Sequence, residues 1–239
     1  MKTRNLWLGA SLSFLASAGI AGIPTSDKLT CPVGGKSFSV TGTASCSTFG
    51  ATQDFFLKVE TSCDFVTRLP QCPDNGLPLY KEFTKDEISL LKDYVATPEY
   101  TALAGRSRFA IAKKVDDFLV SKGSKSAFGF WYVLGGLQYD REATLSDPEY
   151  MGWLQEKGAE ALTTAKGVDA AVIRLVMAYG RYLSGDFEGA SAGLAAVRAD
   201  AEVKDHWLVA AYAARLEPCI AARDVKLCPP DMRIKPDAR

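Results

Sequence analysis

Two textures of hydrophobic spacing divide this chain. From Thr84 onward, apolar residues return every three or four positions, the period of a helix with one face turned to a core. Ile88, Leu91, Tyr94 and Val95 form the first such stripe. Thr84-Lys85-Asp86-Glu87 opens it as a capping box, in which a hydroxyl and a carboxylate three residues apart each satisfy a free backbone N–H. Thr97-Pro98-Glu99 opens a second helix, with proline at the first helical position, where its missing N–H costs nothing. Ser107 to Lys122 predicts a third, with Phe109, Ala112, Val115, Phe118 and Leu119 on one stripe and Gly123 as its stop. Further helices are predicted over Ser126–Tyr139, from Asp147-Pro148-Glu149 to about Ala165, and over Val168–Leu183, Phe187–Arg198 and Lys204–Ala222. The connections are short, so consecutive helices are expected to pack antiparallel.

Residues 23–83 read differently. Ser37–Thr43 and Asp54–Thr61 alternate in part, as half-buried strands do, and Leu79–Phe83 is expected to add a last short strand. Pro70, Pro73, Asp74, Asn75, Gly76 and Pro78 supply turn material. Four cysteines fall in this stretch, Cys31, Cys46, Cys63 and Cys72. A module this small buries little core, which makes covalent staples useful. The expected layout is a Cys-rich β module over 23–83, a helical array over 84–222 and a Pro-rich tail over 223–239.

The first 22 residues belong to neither texture. Lys2 and Arg4 precede Leu6–Gly22, a charge-free run rich in Ala, Gly and Ser and shorter than the ~20 residues of a spanning helix. Ala16 and Ala18 form an A-x-A pattern, and Ala21-Gly22 offers a second cut. This reads as a secretory signal peptide over 1–22, in preference to a retained anchor. No other apolar stretch is long enough to span a bilayer, so a periplasmic or secreted chain without a membrane span is expected. The 28 basic and 28 acidic residues balance, which argues against a nucleic-acid partner.

Six cysteines in an exported chain read as a disulfide set, with 15 pairings open in principle; Cys219 and Cys228 are the remaining two. A four-thiolate zinc site on Cys31, Cys46, Cys63 and Cys72 is the alternative. Their spacing does not match the two-to-four-residue gap within a metal knuckle. No Cys-x-x-Cys redox motif is present. No metal or cofactor is expected.

The segment 172–199, VIRLVMAYGRYLSGDFEGASAGLAAVRA, resembles a tetratricopeptide repeat. Gly185 makes a tight turn, Phe187 packs back, and small residues at Ala190 and Gly193 let two backbones approach. Arg181 stands where that family prefers tyrosine, with Tyr182 beside it. Phe130-Trp131-Tyr132-Val133-Leu134-Gly135 resembles the start of a weaker copy, with its second helix at Tyr150 to Ala165, and the helix bearing Trp207 resembles a closing helix. The resemblance implies a mainly α fold, a tetratricopeptide-like antiparallel helical array. By analogy it implies contacts to a protein or peptide partner from the first helices of each hairpin, at Trp131, Gln138, Arg174 and Arg181.

Cys31-Pro32-Val33-Gly34-Gly35 and Cys72-Pro73-Asp74-Asn75-Gly76 each resemble half of a Cys-Pro-x-Cys-Gly zinc knuckle, with Gly34 and Asn75 in place of the second cysteine. Together with the helices, this is similar to bacterial families of unknown function that join such a ribbon to tetratricopeptide-like repeats. In a ribbon the knuckles face each other, so the resemblance implies that the surviving thiols join as Cys31–Cys72. Cys46–Cys63 then pair across the central strands. Cys219–Cys228 would tie the tail to the last helix.

Other chemistry has a structural explanation in each case. His206, the single histidine, is expected to head the last helix. Asp116-Asp117 lie with Lys113 and Lys114 on a helix surface, and Asp86-Glu87 lie in a helix first turn. Phe128, Phe130, Trp131 and Tyr132 are expected mostly in the core, and Arg106 and Arg108 in a solvated loop. No catalytic residue is singled out. The expected function is binding or assembly in the cell envelope; the alternatives are an envelope hydrolase with unidentified carboxylates and a zinc-binding structural protein.

Overall fold

The computed structural model describes residues 22–203 and 206–235. The signal segment expected over 1–22 therefore lies outside the described residues except for Gly22. The fold is mainly α: nine helices and four strands are assigned among the described residues.

The N-terminal part holds two separate antiparallel pairs. Strand β1 (Ile23–Thr30) pairs with β2 (Ser37–Ser45), with Thr30 opposite Ser37 and Lys28 opposite Ser39. Strand β3 (Thr48–Gln53) pairs with the short β4 (Val59–Thr61). The alternation over 54–61 suggested one strand, but only its last part forms one. Phe55 and Phe56 are adjacent and both fully buried, which a strand cannot do on one face, and the chain makes a tight turn there. Leu79–Phe83 forms no strand either. Pro78 makes only an isolated bridge to Gln71, and the Tyr80 hydroxyl beyond it donates to Asp116.

The helices follow from local chemistry. Helix α1 (Lys85–Tyr94) begins with a complete capping box: Glu87 N–H donates to Thr84 Oγ1 at 3.2 Å, and Thr84 N–H donates to Glu87 Oε2 at 3.0 Å. The short α2 (Pro98–Thr101) leads to α3 (Arg108–Ser121), capped by Ser107 and stopped at Gly123, whose φ of 95° suits glycine. Helix α4 (Phe130–Tyr139) starts four residues later than its spacing predicts. Ser126 Oγ and Ala127 N–H are turned to Asp116 at 2.5 and 3.0 Å, which holds the chain out of helical geometry. A short α5 (Arg141–Leu145), unsignalled in the sequence, fills the loop before α6 (Tyr150–Leu162).

Helices α7 (Gly167–Leu183), α8 (Phe187–Ala199) and α9 (Trp207–Ala222) complete the array. Helix α7 packs against α6, α8 and α9, and α6 also packs against α4. At the α7–α8 corner Asp186 caps the second helix through Gly189 N–H at 2.9 Å, and the Phe187 ring meets Tyr182 edge-on at 6.0 Å. A Cβ on Gly193 would lie 3.2 Å from that of Ala178, so the small side chain sets how close the two helices come. One continuous core runs from Cys31 and Val33 through the helices to Ile234. The N-terminal part is thus packed into the array.

Candidate functional site

Helices α4, α5, α7 and α9 present side chains that converge on one loop of the N-terminal part. The loop follows β3. Asp54 Oδ1 accepts hydrogen bonds from Phe56 N–H and Lys58 N–H, both at 2.9 Å, and Leu57 takes a left-handed φ of 61°. This turn aims Phe55 and Phe56 in the same direction. The Phe55 ring stacks on Tyr179 of α7 at 4.4 Å and meets Tyr212 of α9 edge-on at 5.0 Å. The Phe56 ring meets Tyr179 edge-on at 5.2 Å, and the Arg141 guanidinium of α5 lies 5.6 Å from its centre.

The backbone of the loop is gripped as well as its rings. Tyr212 Oη donates to the Phe55 carbonyl at 2.6 Å, and Gln138 Nε2 of α4 donates to the Phe56 carbonyl at 2.7 Å. Arg141 forms an ion pair with the buried Asp54. Gln53 exchanges two backbone hydrogen bonds with Ile234 of the C-terminal tail, at 3.0 and 2.7 Å. The tail is held to the same helix: Tyr179 Oη donates to the Cys228 carbonyl at 2.9 Å and Tyr182 Oη to the Asp224 carbonyl at 2.6 Å. Burial pushes the Tyr179 and Tyr212 phenols well up, so both stay protonated donors at ordinary pH.

The four residues expected to contact a partner are not gathered in one open groove. Trp131 and Gln138 stand seven positions apart on α4, hence on one stripe, as do Arg174 and Arg181 on α7. In each pair one member is spent internally. Gln138 grips the Phe56 carbonyl, and Arg181 bridges Gln155 of α6 at 3.1 Å and the Gly189 carbonyl of α8 at 3.3 Å. The other member faces outward: Trp131 is 58% exposed, and Arg174 reaches only a marginal contact of 4.0 Å with Asp200. Trp131 thus departs from the core position expected for its aromatic run, while Phe128 and Phe130 are buried.

The sequence reading missed Phe55, Phe56, Arg141, Tyr179 and Tyr212. The one available signal was the adjacent pair of phenylalanines, which breaks the alternation of the run they sit in.

The cysteines are joined as Cys31–Cys72, Cys46–Cys63 and Cys219–Cys228, with Cα separations of 5.6, 5.6 and 6.0 Å. These pairs belong to an oxidising, non-cytosolic compartment. The two turns joined by the first pair share one hydrogen-bond pattern. Cys31 N–H donates to the Lys36 carbonyl at 2.9 Å and receives Gly35 N–H on its own carbonyl at 3.2 Å. Cys72 does the same with Leu77 and Gly76, at 2.9 Å each. Asn75 Nδ2 links the turns through the Val33 carbonyl at 3.0 Å. Cys31, Cys72 and the Asp74 carboxylate place their ligand-type atoms within 4.8 Å of one another, but both sulfurs are consumed in the disulfide.

The carboxylate pairs noted in the sequence serve the packing. Asp116 is buried and accepts from Tyr80 Oη at 3.2 Å as well as from Ser126 and Ala127, and Asp117 pairs with Lys113 at 2.7 Å. Burial alone would raise the Glu87 carboxyl. Lys81 at 2.6 Å, together with Thr84 N–H, outweighs it and holds Glu87 below its usual value. Lys114 and Arg106 do the same for Glu149, against a smaller effect of burial. Arg106 is no free loop cation, because it binds Asp147 and Glu149, and Arg108 donates to the Leu69 carbonyl at 3.2 Å. His206 heads α9.

No helix among the described residues is long and apolar enough to cross a membrane. Compared with protein-family models, with curated proteins and with solved structures, the chain matches none.

Proposed function

We propose that this chain is a protein-binding or assembly protein of the periplasm or the exterior, built as a tetratricopeptide-like array on a disulfide-stapled N-terminal ribbon. The observation that carries this reading is the manner in which α4, α5, α7 and α9 hold the 53–58 loop. They take its side chains into aromatic packing and its carbonyls onto side-chain donors, the two kinds of contact by which a helical surface can hold a peptide. The ribbon resemblance has support in the matching turns at Cys31 and Cys72, which a disulfide joins. The three disulfides support an exported location.

Trp131 and Arg174 are the outward members of their stripes and the contacts this reading assigns to a partner. The test is capture from envelope extract on immobilised wild-type chain and on Trp131→Ala and Arg174→Glu variants. A protein retained by the wild type and released by both variants supports the assignment. Retention that neither substitution changes removes it.

A further inference from the structure

We infer that the cleft between the Cys72 turn and the 95–106 segment binds an uncharged small molecule with an apolar body and a hydrogen-bond acceptor, and that the Tyr100 hydroxyl donates to that acceptor. The site shares no residue with the contacts assigned above to Trp131 and Arg174, so the two readings stand or fall separately.

One wall of the cleft is the 71–76 turn. The Cys31–Cys72 disulfide holds it, and Asn75 Nδ2 ties it to the Val33 carbonyl at 3.0 Å. The opposite wall comes from the end of α1, from α2 and from the chain leading into α3. The space between them is about 630 Å³, within the roughly 300–1,000 Å³ of pockets that take small ligands. Val95, Leu103 and Ile111 make its lining largely apolar. Thr101, Ala104 and Gly105 also line it and are exposed, so the space opens to solvent.

Tyr100 lines this cleft at only 6% exposure, and its hydroxyl has no hydrogen-bond partner among the described residues. The ring is held in place. Tyr100 N–H donates to Thr97 Oγ1 at 3.2 Å at the start of α2, and Tyr94 meets the ring edge-on at 5.4 Å. The hydroxyl ends beside Gly76, where a Cβ would come within 3.9 Å of it. Gly76 also lines the cleft, and its φ of 72° favours glycine, so no side chain stands there to cover the hydroxyl. A buried hydroxyl has given up its water on folding. An acceptor that reaches it gains a bond for which the protein side is desolvated in advance.

The charges around the cleft favour an uncharged ligand. Arg106 binds Asp147 at 2.6 Å and Glu149 at 2.9 Å, which leaves it no free charge for an acid. Asp74 is exposed to water, where one ion pair is worth little, so it gives a base no strong hold. Burial pushes the Tyr100 phenol well up, so it is a protonated donor at ordinary pH.

The test compares acetophenone with α-methylstyrene, which carries a CH₂ group in place of the carbonyl oxygen. Each is titrated into the disulfide-bonded chain while amide shifts are followed by NMR. The amides of Gly76, Ala104 and Gly105 should move. The ratio of ketone to alkene affinity should fall at least tenfold on Tyr100→Phe, because only the ketone uses the hydroxyl. Ala104→Trp, at an exposed position, should fill the cleft and weaken ketone binding tenfold or more. Three results overturn the inference: no saturable binding of the ketone, shifts confined to other residues, or a ratio that Tyr100→Phe leaves unchanged. If Tyr100→Phe does not fold, Ala104→Trp decides, and undiminished ketone binding by that variant overturns the inference.

Discussion

Tyr212 on the last helix donates its hydroxyl to the carbonyl of Phe55, 157 residues earlier, at 2.6 Å. The donor is fully buried and so is the residue that accepts. Removing the hydroxyl leaves a buried carbonyl without its partner, a loss of about 1–3 kcal/mol. Phe55→Ala removes the ring that stacks on Tyr179 and opens a cavity, at about 3–5 kcal/mol. Urea unfolding of Tyr212→Phe and Phe55→Ala should rank them in that order. The double variant should lose less than the sum, because the two residues are in contact.

Tyr100 predicts the opposite sign for the same substitution. Its hydroxyl is buried with no hydrogen-bond partner among the described residues, and burial pushes its phenol up. Tyr100→Phe takes away an unsatisfied polar atom and should be neutral or stabilising by about 1 kcal/mol. Thermal melts of Tyr100→Phe beside Tyr212→Phe check both. A clear loss in the Tyr100 variant would mean that an ordered water bonds this hydroxyl.

The disulfides should differ in worth with the loop each closes. Sequence separations of 41, 17 and 9 give about 4, 3 and 2.6 kcal/mol in the chain-entropy description. Replacing both members of each pair by serine should reduce the urea midpoint most for Cys31–Cys72. The Cys219–Cys228 variant should show a second effect that loop entropy does not include. Tyr179 and Tyr182 bond the tail at Cys228 and Asp224, so release of the tail should raise exchange of the Ile234 amide, which pairs with Gln53.

What could be read from the sequence was local. The Thr84–Glu87 capping box, the Thr97-Pro98 helix start, the Gly123 stop and the Gly185 corner each depend on residues within one turn, and each forms where the pattern puts it. Long-range demands decided the rest. The start of α4 is delayed because Asp116, ten residues back, takes Ser126 and Ala127 as partners. The 54–58 turn exists because Asp54 satisfies two backbone N–H groups of its own loop while Arg141 satisfies Asp54. The analogy with tetratricopeptide arrays marked Gln138 and Arg181 as partner contacts, but could not say that the chain's own loop and neighbouring helices already occupy their hydrogen bonds.

Acid should weaken the α1 cap. The Glu87 carboxyl lies below 4.5 when folded, so the unfolded chain binds its proton first as pH falls. The stabilisation is fully present above pH 4.5 and disappears as pH drops through the folded value. Glu87→Gln keeps an acceptor for Thr84 N–H but loses the charge opposite Lys81, and should cost about 1 kcal/mol at neutral pH. Chemical denaturation between pH 3 and 7 should show a shallower acid decline for Glu87→Gln than for the wild type.

Alkali should act through the tyrosines that hold the fold together. Burial raises the phenols of Tyr80, Tyr150, Tyr179 and Tyr212 above the 10.0 of a free side chain, with Asp116 adding to the effect at Tyr80. Between that value and the raised ones, the unfolded chain releases protons that the folded chain keeps. Stability is therefore fully present below pH 10 and declines as pH rises past it, by about 1.4 kcal/mol per pH unit for each tyrosine so held. Tyr94 is pushed up less, to about 12, and should ionise earliest of the five in the folded state. The expected record is tyrosinate absorbance in two steps: an immediate one from accessible phenols, and a slow one that follows unfolding by circular dichroism. Tyr212→Phe should hasten the slow step, since it removes a donor from the loop contact. If all the phenols ionise at once while the helices persist, the rings at Tyr179 and Tyr212 are not sealed by Phe55 and Phe56.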